Sequence, residues 1–471
     1  MDDDAENWIC YGCVGDYYLI EKIRAEGTRH KCTYCGRLRR CFSVSEVGDL
    51  VHEIFSTRLA HEEHESRGDT PLFWVATILH IDEEEVAKAV LEYLSATHDD
   101  YESGSGQYDD FTYYRFERSD GRAYAKKWRA LRQSLLHESR YFNSGARKLL
   151  DEMFDGLNFG LNKVPAHLPA YMVGRPVVTL IGPGQEMTAL YRAREARHHE
   201  QVAEFLRDPV GELGPPPSIK ARGGRMNPIG VSLFYGAFEP ATCVPEIRAP
   251  VGTYVVIGSF EVLRPLRLLD FAKLTEASEA IPHFHPSYSE KKDRDAFLEA
   301  FSFEIATPVH PQEEGLGYLA TQAVAEYLAQ REDLQLDGLI FPSTQTGSSG
   351  SNVVLFRLAS VVEPATQHYD VEALSYSSDT ASFTVTSKPI LPPVAPSRPP
   401  PVDGLPSVFD IVSDPDFPYA QEDIPPPYIP PTLRLNTEKI VVRKITAIGY
   451  QHDDSNIFRR RQTDKPIGPD F

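Results

Sequence analysis

Two Cys-x-x-Cys pairs near the start of this chain constrain its fold more than any other feature of the sequence. Cys10-Tyr-Gly-Cys13 and Cys32-Thr-Tyr-Cys35 hold four of the six cysteines, and 18 residues separate them. Each pair presents two thiolates from one tight turn, and four thiolates complete the tetrahedral shell that Zn²⁺ prefers. We therefore predict a structural zinc ribbon with Cys10, Cys13, Cys32 and Cys35 as ligands, closed to chemistry. Two alternative ligands lie nearby in the sequence: His30 and Cys41.

Composition and charge limit the classes of protein to which this chain can belong. Its 471 residues exceed one ordinary hydrophobic core, so we expect two or three domains. The net charge of −20 disfavours a large nucleic-acid footprint, although a local basic patch could lie within it. No run of about 18 apolar residues occurs, and Met1-Asp-Asp-Asp starts no signal peptide pattern. With cysteines suited to metal rather than disulfides, we expect a cytoplasmic protein without a membrane span.

The spacing of apolar residues divides the chain into four predicted regions. After the zinc ribbon at 1–45, apolar positions three and four residues apart indicate a helical domain over 46–170. Short β-rich runs alternate with helical segments over 171–365, which indicates an α+β domain. The C-terminal extension, 366–471, holds a proline-dense linker at 389–431 and a terminal strand rich in Ile and Val. We expect that strand to dock on a folded part of the chain, because a free tail seldom carries so many apolar residues.

Six residues of the α+β region stand in distinctive local contexts. Arg225 follows two glycines and precedes Met-Asn-Pro, Tyr235 ends a strand-like run, and Glu246 lies 21 residues after Arg225. Ser343 stands where a predicted strand ends. This order and spacing resembles the RES domain, a family named for its Arg, Glu and Ser, over about residues 175–360. The residues that carry the resemblance are Arg192, Arg225, Tyr235, Glu246, Ser343 and Asn352.

The resemblance implies an ADP-ribosyltransferase-like fold with a split, mainly antiparallel sheet around a cleft, and it implies that NAD is consumed. Glu246, Arg225 and Tyr235 would then be catalytic. The residues that would bind NAD are Arg192, Arg225, Tyr235, Ser343 and Asn352. Arginine suits the pyrophosphate because its planar fork matches phosphate oxygens, and a carboxylate such as Glu246 can stabilise positive charge that develops on the ribose.

Two positions depart from the family pattern. Met226 stands where RES domains usually carry Trp, and Pro245 precedes Glu246 where the family usually has an unbroken helix. Proline lacks the amide donor, so we expect it to kink or end that helix and to change the direction of Glu246.

The leading interpretation is an NAD-cleaving enzyme that acts as a bacterial toxin or defence effector. The acceptor of the ADP-ribosyl group is open among water, phosphate and a protein, and an antitoxin or regulatory partner and a homo-oligomer are implied. An alternative is a HEPN-type ribonuclease, because Arg132 and His137 have the Arg-x4-His spacing and the helical region resembles the HEPN-related domain that often precedes RES domains. A second alternative is a non-catalytic zinc-ribbon protein that senses a nucleotide.

Overall fold

The computed structural model describes residues 6–82, 84–98, 106–160, 174–276, 281–307, 309, 314–347, 349–365, 368–377, 382–390 and 428–449. The fold is α+β, as predicted. The predicted proline-dense linker lies outside the described residues except at its two ends. Within the described part of the chain, no helix has both the length and the apolar character needed to cross a membrane.

The first nine elements form an N-terminal unit with one hydrophobic core. They are β1 (Trp8–Cys10), α1 (Tyr17–Glu26), β2 (Thr28–Lys31), β3 (Leu38–Ser43), α2 (Val44–Arg58), β4 (Leu59–Glu62), α3 (Pro71–Leu79), α4 (Glu84–His98) and β5 (Tyr113–Phe116). The first three strands form an antiparallel sheet in the order β1-β3-β2, and β4 pairs with β5. Helix α2 begins with a capping box between Ser43 and Glu46, and Pro71 occupies the first turn of α3, where its missing amide costs no hydrogen bond.

The second region surrounds an eight-stranded sheet. Its helices are α5 (Arg122–His137), α6 (Ser144–Phe154), α7 (His199–Arg207), α8 (Pro209–Leu213), α9 (Pro240–Ile247), α10 (Tyr288–Ala306), α11 (Glu314–Gly317) and α12 (Leu319–Gln330). Its strands are β6 (Val178–Ile181), β7 (Ala189–Ala196), β8 (Phe234–Ala237), β9 (Tyr254–Val262), β10 (Leu266–Asp270), β11 (Gly338–Pro342), β12 (Ser351–Leu355), β13 (His368–Ser377), β14 (Ser382–Ile390) and β15 (Leu433–Lys444). Strands β13 and β14 form a separate antiparallel hairpin.

The large sheet is mainly antiparallel and is nearly divided at its middle. Its order is β15-β9-β7-β8-β12-β11-β10-β6, and only β10 and β11 run parallel. Strands β7 and β8 share a single residue pair, Tyr191 with Ala237, whereas β7 and β9 pair over eight residues. The two halves therefore diverge beyond Tyr191, and the gap between them becomes a cleft. This is the split, mainly antiparallel sheet that the resemblance to the RES domain implied.

The hydrophobic cores group the helices differently from the predicted domain limits. The predicted boundary at residue 45 falls inside the N-terminal core, which joins Ile9 of the Cys-rich sheet to Val51 of α2. Helices α5 and α6 bury apolar side chains such as Trp128 and Met153 in the same core as Phe301 of α10. Their amphipathic pattern predicted helices correctly, but it could not specify which domain would cover their apolar faces.

The terminal strand docks as predicted. β15 pairs antiparallel with β9 and becomes the edge of the large sheet, with an irregularity between Asn436 and Val441. Leu433 and Leu435 of this strand are buried in the core on that side of the sheet. The strand thus completes a sheet whose other members lie at least 70 residues earlier in the chain.

Candidate active site

Two adjoining cavities lie where β7 and β8 diverge. The inner cavity has a volume of about 280 Å³ and is lined by Arg192, Arg225, Tyr235, Glu246 and Asn352, among others. The outer cavity has a volume of about 1010 Å³, and Arg192 and Tyr235 contribute to both. The structure therefore brings five of the six residues singled out in the sequence to one small cavity that opens into a larger one.

Ser343, the sixth residue, lies behind Glu246 and is completely buried. Its Oγ donates a hydrogen bond to Glu246 Oε1 at 2.6 Å, and Asn352 Nδ2 donates to the same oxygen at 2.8 Å. The Ser343 amide donates to the carbonyl of Gly350 at 2.8 Å, which fixes the end of β11 against the start of β12. The resemblance implied that Ser343 would bind NAD, whereas its hydroxyl donates to the carboxylate of Glu246.

Pro245 lies inside α9, and the helix continues for two residues beyond it. The helix begins at Pro240, runs through Pro245 and ends at Ile247, and Arg248 then adopts a left-handed conformation with φ of 55°. The missing amide of Pro245 removes one hydrogen bond from the helix, which ends within the following turn. Glu246 is nevertheless directed into the inner cavity.

Arg225 belongs to a tight turn that is held by a helix and by the half-buried Tyr235. The carbonyl of Arg225 accepts a hydrogen bond from Thr321 Oγ1 at 2.6 Å, and the carbonyl of Gly224 accepts one from Gln322 Nε2 at 2.7 Å, so the start of α12 fixes this turn. The Arg225 guanidinium donates to the carbonyl of Ala306 at the end of α10. A side chain at position 224 would have its Cβ 2.9 Å from Tyr235 Oη, which explains the glycine there.

Tyr235 supports the turn through its hydroxyl. Tyr235 Oη donates to Asn227 Oδ1 at 2.6 Å and accepts from the amide of Met226 at 3.1 Å. Burial raises the pKa of Tyr235 well above its usual range, against smaller lowering effects of the Met226 amide and of Arg225. The phenol therefore stays protonated, and its oxygen positions the residues that flank Arg225.

Arg192 and Arg194 are held by the segment that follows α7. The Arg192 guanidinium donates to the carbonyls of Leu213, at 2.9 Å, and Gly214. Burial, with a smaller effect of neighbouring Arg194, lowers the pKa of Arg192 to about 10, so it remains a cation at neutral pH. Arg194 donates at 2.6 Å both to the carbonyl and to the carboxylate of Glu212.

The outer cavity is predominantly cationic although the whole chain is acidic. Its charged lining residues are the cations Arg192, Arg194, Arg197, Lys220 and Arg222 and the anions Glu195 and Glu212. Cationic walls around a cleft concentrate anionic ligands, and guanidinium groups bind phosphate oxygens in pairs. The lining thus suits a phosphorylated small molecule.

Two residues of this region have contacts that the sequence did not reveal. Cys243 lines the inner cavity, its Sγ donates to the carbonyl of Tyr191 at 3.2 Å, and burial raises the pKa of its thiol to about 12. It is therefore a neutral packing residue. The second residue is Gln322, whose side-chain Nε2 donates hydrogen bonds to the carbonyls of Gly224 and Asn227. Neither lies in a motif, because each acts through contacts between distant segments.

The two residues of the ribonuclease alternative are exposed on α5. Arg132 pairs with Glu304 of α10 at 3.3 Å, and His137 is the last residue of the helix. Five residues in an α-helix correspond to about 140° of rotation, so the two side chains leave the helix in different directions. Glu304 also accepts from Trp128 Nε1 at 3.0 Å, which gives Arg132 a structural partner.

The four predicted zinc ligands form one cluster. The sulfur atoms of Cys10, Cys13, Cys32 and Cys35 all lie within 4.8 Å of one another, an arrangement that could hold a metal ion. Three of the sulfur–sulfur distances are 3.6, 3.7 and 3.8 Å, close to the edge of about 3.8 Å that a tetrahedron with metal–sulfur bonds of about 2.3 Å requires. Cys41 lies outside the cluster, and its thiol donates to the carbonyls of His30 and Arg39.

Comparison with known proteins identifies the domain that contains the cavities. The family model described as RES domain matches residues 189–377. No curated protein and no solved structure gives a significant match to the chain. The match includes every residue that was singled out in the sequence for the cavity, from Arg192 to Asn352.

Proposed function

Because this chain carries a RES domain at residues 189–377, we propose that it cleaves NAD between nicotinamide and ribose, with the reaction centre in the inner cavity. The observation that carries the proposal is the single carboxylate of Glu246, held by two donors and facing a cavity that opens onto cationic walls. Such an arrangement provides one anion for a developing positive charge and several cations for a pyrophosphate.

In the proposed reaction, the glycosidic bond breaks and its electron pair leaves with the nicotinamide nitrogen. The ribose then carries positive charge shared between C1 and the ring oxygen, and Glu246 stabilises it electrostatically. Ser343 and Asn352 both donate to Oε1, which leaves Oε2 free to approach the ribose. An acceptor, which is water, phosphate or a protein group, adds to C1 and loses a proton.

Arg225 and Arg192 are proposed to bind the pyrophosphate. Their guanidinium groups donate to backbone carbonyls, and each has further N–H groups available because guanidinium has five. Tyr235 fixes the turn of Arg225 rather than reacting itself. The roles assigned to all six residues are proposals that rest on this geometry and on the family match.

We further propose that the Cys cluster binds one structural Zn²⁺ and that the protein is a cytoplasmic toxin or defence effector. Four thiolates leave no open coordination position, so the metal would stabilise the sheet of β1, β2 and β3. An antitoxin or regulatory partner and a homo-oligomer belong to the same proposal.

Incubation of the purified full-length protein with NAD, and separately with RNA, tests the proposal. We expect nicotinamide release that Glu246→Gln abolishes and Arg132→Ala leaves unchanged. RNA cleavage that depends on Arg132 and His137 would instead support the ribonuclease. Binding of NAD without turnover would support the nucleotide sensor.

A further inference from the structure

The Cys-rich unit contains a concentration of positive charge that opposes the charge of the whole chain. Between Glu26 and Glu46 there are five Lys or Arg residues and no Asp or Glu, in a protein with a net charge of −20. The five are Arg29, Lys31, Arg37, Arg39 and Arg40. All belong to the hairpin of β2 and β3 or to the turn that joins these strands.

The register of the hairpin places like charges side by side. Arg29 is directly opposite Arg40, and Lys31 is opposite Leu38. Directly opposed residues share a face, and residues two positions apart on a strand share it too, so these four side chains form one surface. All four are exposed. Like charges in direct opposition destabilise a sheet, so this arrangement is not explained by the stability of the hairpin.

Within the part of the chain that the structure describes, the nearby carboxylates of α1 pair with other cations. Lys22 and Arg24 of α1 pair with Glu26 and Glu21 at 2.8 and 2.7 Å. Among the described residues, the ion pairs found include none for the five cations of the hairpin. Arg40 donates instead to the carbonyls of Ala25 and Gly27, at 3.0 and 3.1 Å, and keeps its full charge.

One of the five cations, Arg39, can be explained by the negative charge of a metal–thiolate cluster. Zn²⁺ with four thiolates has a net charge of −2, which a nearby cation can offset. Arg39 is suited to this, since its guanidinium lies 5.1 Å from the ring centroid of Tyr11, the residue that follows the ligand Cys10. Arg29, Lys31 and Arg40 are on the opposite face from Arg39, because residues alternate along a strand. They need another explanation.

We propose that the face of the β2–β3 hairpin with Arg29, Lys31 and Arg40, together with Arg37 in the turn, binds the phosphate backbone of a nucleic acid. Lys and Arg side chains neutralise phosphates and release condensed counterions, which supplies affinity without sequence recognition. A two-stranded ribbon also has the width that the major groove of a duplex admits. The surface exposes one large apolar side chain, Leu38, too little for insertion into a lipid bilayer.

Binding of labelled oligonucleotides to the full-length, zinc-loaded protein tests the proposal. Single-stranded DNA, duplex DNA and single-stranded RNA of equal length are compared by fluorescence anisotropy between about 50 and 200 mM salt. The variant Arg29→Gln/Lys31→Gln/Arg37→Gln removes three charges and spares Arg40, which contacts the end of α1. The matched control, Lys126→Gln/Arg129→Gln/Lys148→Gln, removes three charges from exposed positions of α5 and α6.

We expect the hairpin variant to lose affinity by on the order of tenfold or more at low salt, with a salt dependence reduced by about two to three counterions. Its zinc content, thermal unfolding and NAD turnover without nucleic acid should match those of the control. The oligonucleotide that binds most tightly identifies which kind of nucleic acid supplies the phosphates. Equal losses in both variants, no binding to any oligonucleotide, or equally tight binding of polyglutamate would overturn the proposal.

Discussion

Ser343 Oγ donates a hydrogen bond to Glu246 Oε1 at 2.6 Å, although 97 residues separate the two in the chain. The contact joins the exit of β11 to the last turn of α9. With the second hydrogen bond from Asn352, it fixes the carboxylate from the side away from the cavity. The Glu and the Ser of the series singled out in the sequence thus form one hydrogen-bonded pair.

Replacing Ser343 with alanine should lower NAD turnover by about tenfold with little change in KM. One net hydrogen bond contributes roughly 1 to 1.5 kcal/mol, and each 1.4 kcal/mol of lost transition-state stabilisation costs about tenfold in rate. Ser349→Ala, in the same loop but exposed, is the matched control and should retain wild-type turnover. A rise in KM alone would mean that Ser343 contacts NAD instead of orienting Glu246.

Glu246→Gln should reduce turnover by on the order of a hundredfold or more while NAD affinity changes little. The glutamine carbonyl can accept from both Ser343 and Asn352, so the side chain keeps its position and only the charge is lost. Glu239 begins the same helix and is exposed, so Glu239→Gln should leave turnover intact. Calorimetry with NAD and a nicotinamide assay separate binding from chemistry, and wild-type rates in Glu246→Gln would contradict the proposed role.

Arg225→Ala should weaken binding as well as turnover. The variant loses the guanidinium that we assign to the pyrophosphate, and we expect the NAD dissociation constant to rise by roughly tenfold, as for one lost charge-assisted hydrogen bond of about 1.5 kcal/mol. Arg207→Ala removes an exposed arginine at the end of α7 and serves as the control. An unchanged dissociation constant would place the pyrophosphate elsewhere.

Tyr235→Phe should destabilise the domain and impair NAD binding without creating a new pH dependence. The phenylalanine leaves the Met226 amide and Asn227 Oδ1 without the partner they share, at a cost of about 1 to 3 kcal/mol. Since burial raises the pKa of Tyr235 above its usual range, the wild-type phenol is protonated throughout the neutral range. Thermal unfolding and activity from pH 6 to about pH 9 check both statements. A pH transition of wild-type activity that Tyr235→Phe removes would show that the phenol titrates during catalysis.

Metal analysis should find about one Zn²⁺ per chain, because four thiolates complete one tetrahedral shell. Cys13→Ser should lower the metal content and destabilise the N-terminal unit. Cys41→Ser should retain the metal, because the Cys41 thiol contacts backbone carbonyls outside the cluster. A disulfide within the cluster, or metal loss in Cys41→Ser, would contradict the assigned ligand set.

Local patterns predicted the parts of this fold that depend on neighbouring residues. The region predicted to be helical contains α5 at Arg122–His137, and the strand predicted to end at Ser343 spans Gly338–Pro342. The strand-like run that was expected to end at Tyr235 becomes a strand only at Phe234, where pairing with β12 begins, and continues to Ala237. Strand order, and the core that α5 and α6 join, depend on contacts between distant segments that periodicity does not encode.

The same limit applies to the candidate site. Residue types and spacing predicted, through the resemblance to the RES domain, which side chains would meet. They did not predict that Tyr235 would bind Asn227 and the Met226 amide, or that Gln322 would fix the turn of Arg225. These contacts depend on the approach of α12 to the turn, which only the folded chain defines.

The position of β15 limits which fragments of this protein can be produced in a folded form. The family match ends at residue 377, whereas the strand that covers β9 starts at Leu433. A recombinant fragment that ends at residue 377 would expose the unpaired edge of β9, in which eight of nine residues are buried. Such an edge recruits other chains into intermolecular sheets, so an insoluble or inactive fragment would report a missing strand and carry no information about the chemistry of the cleft.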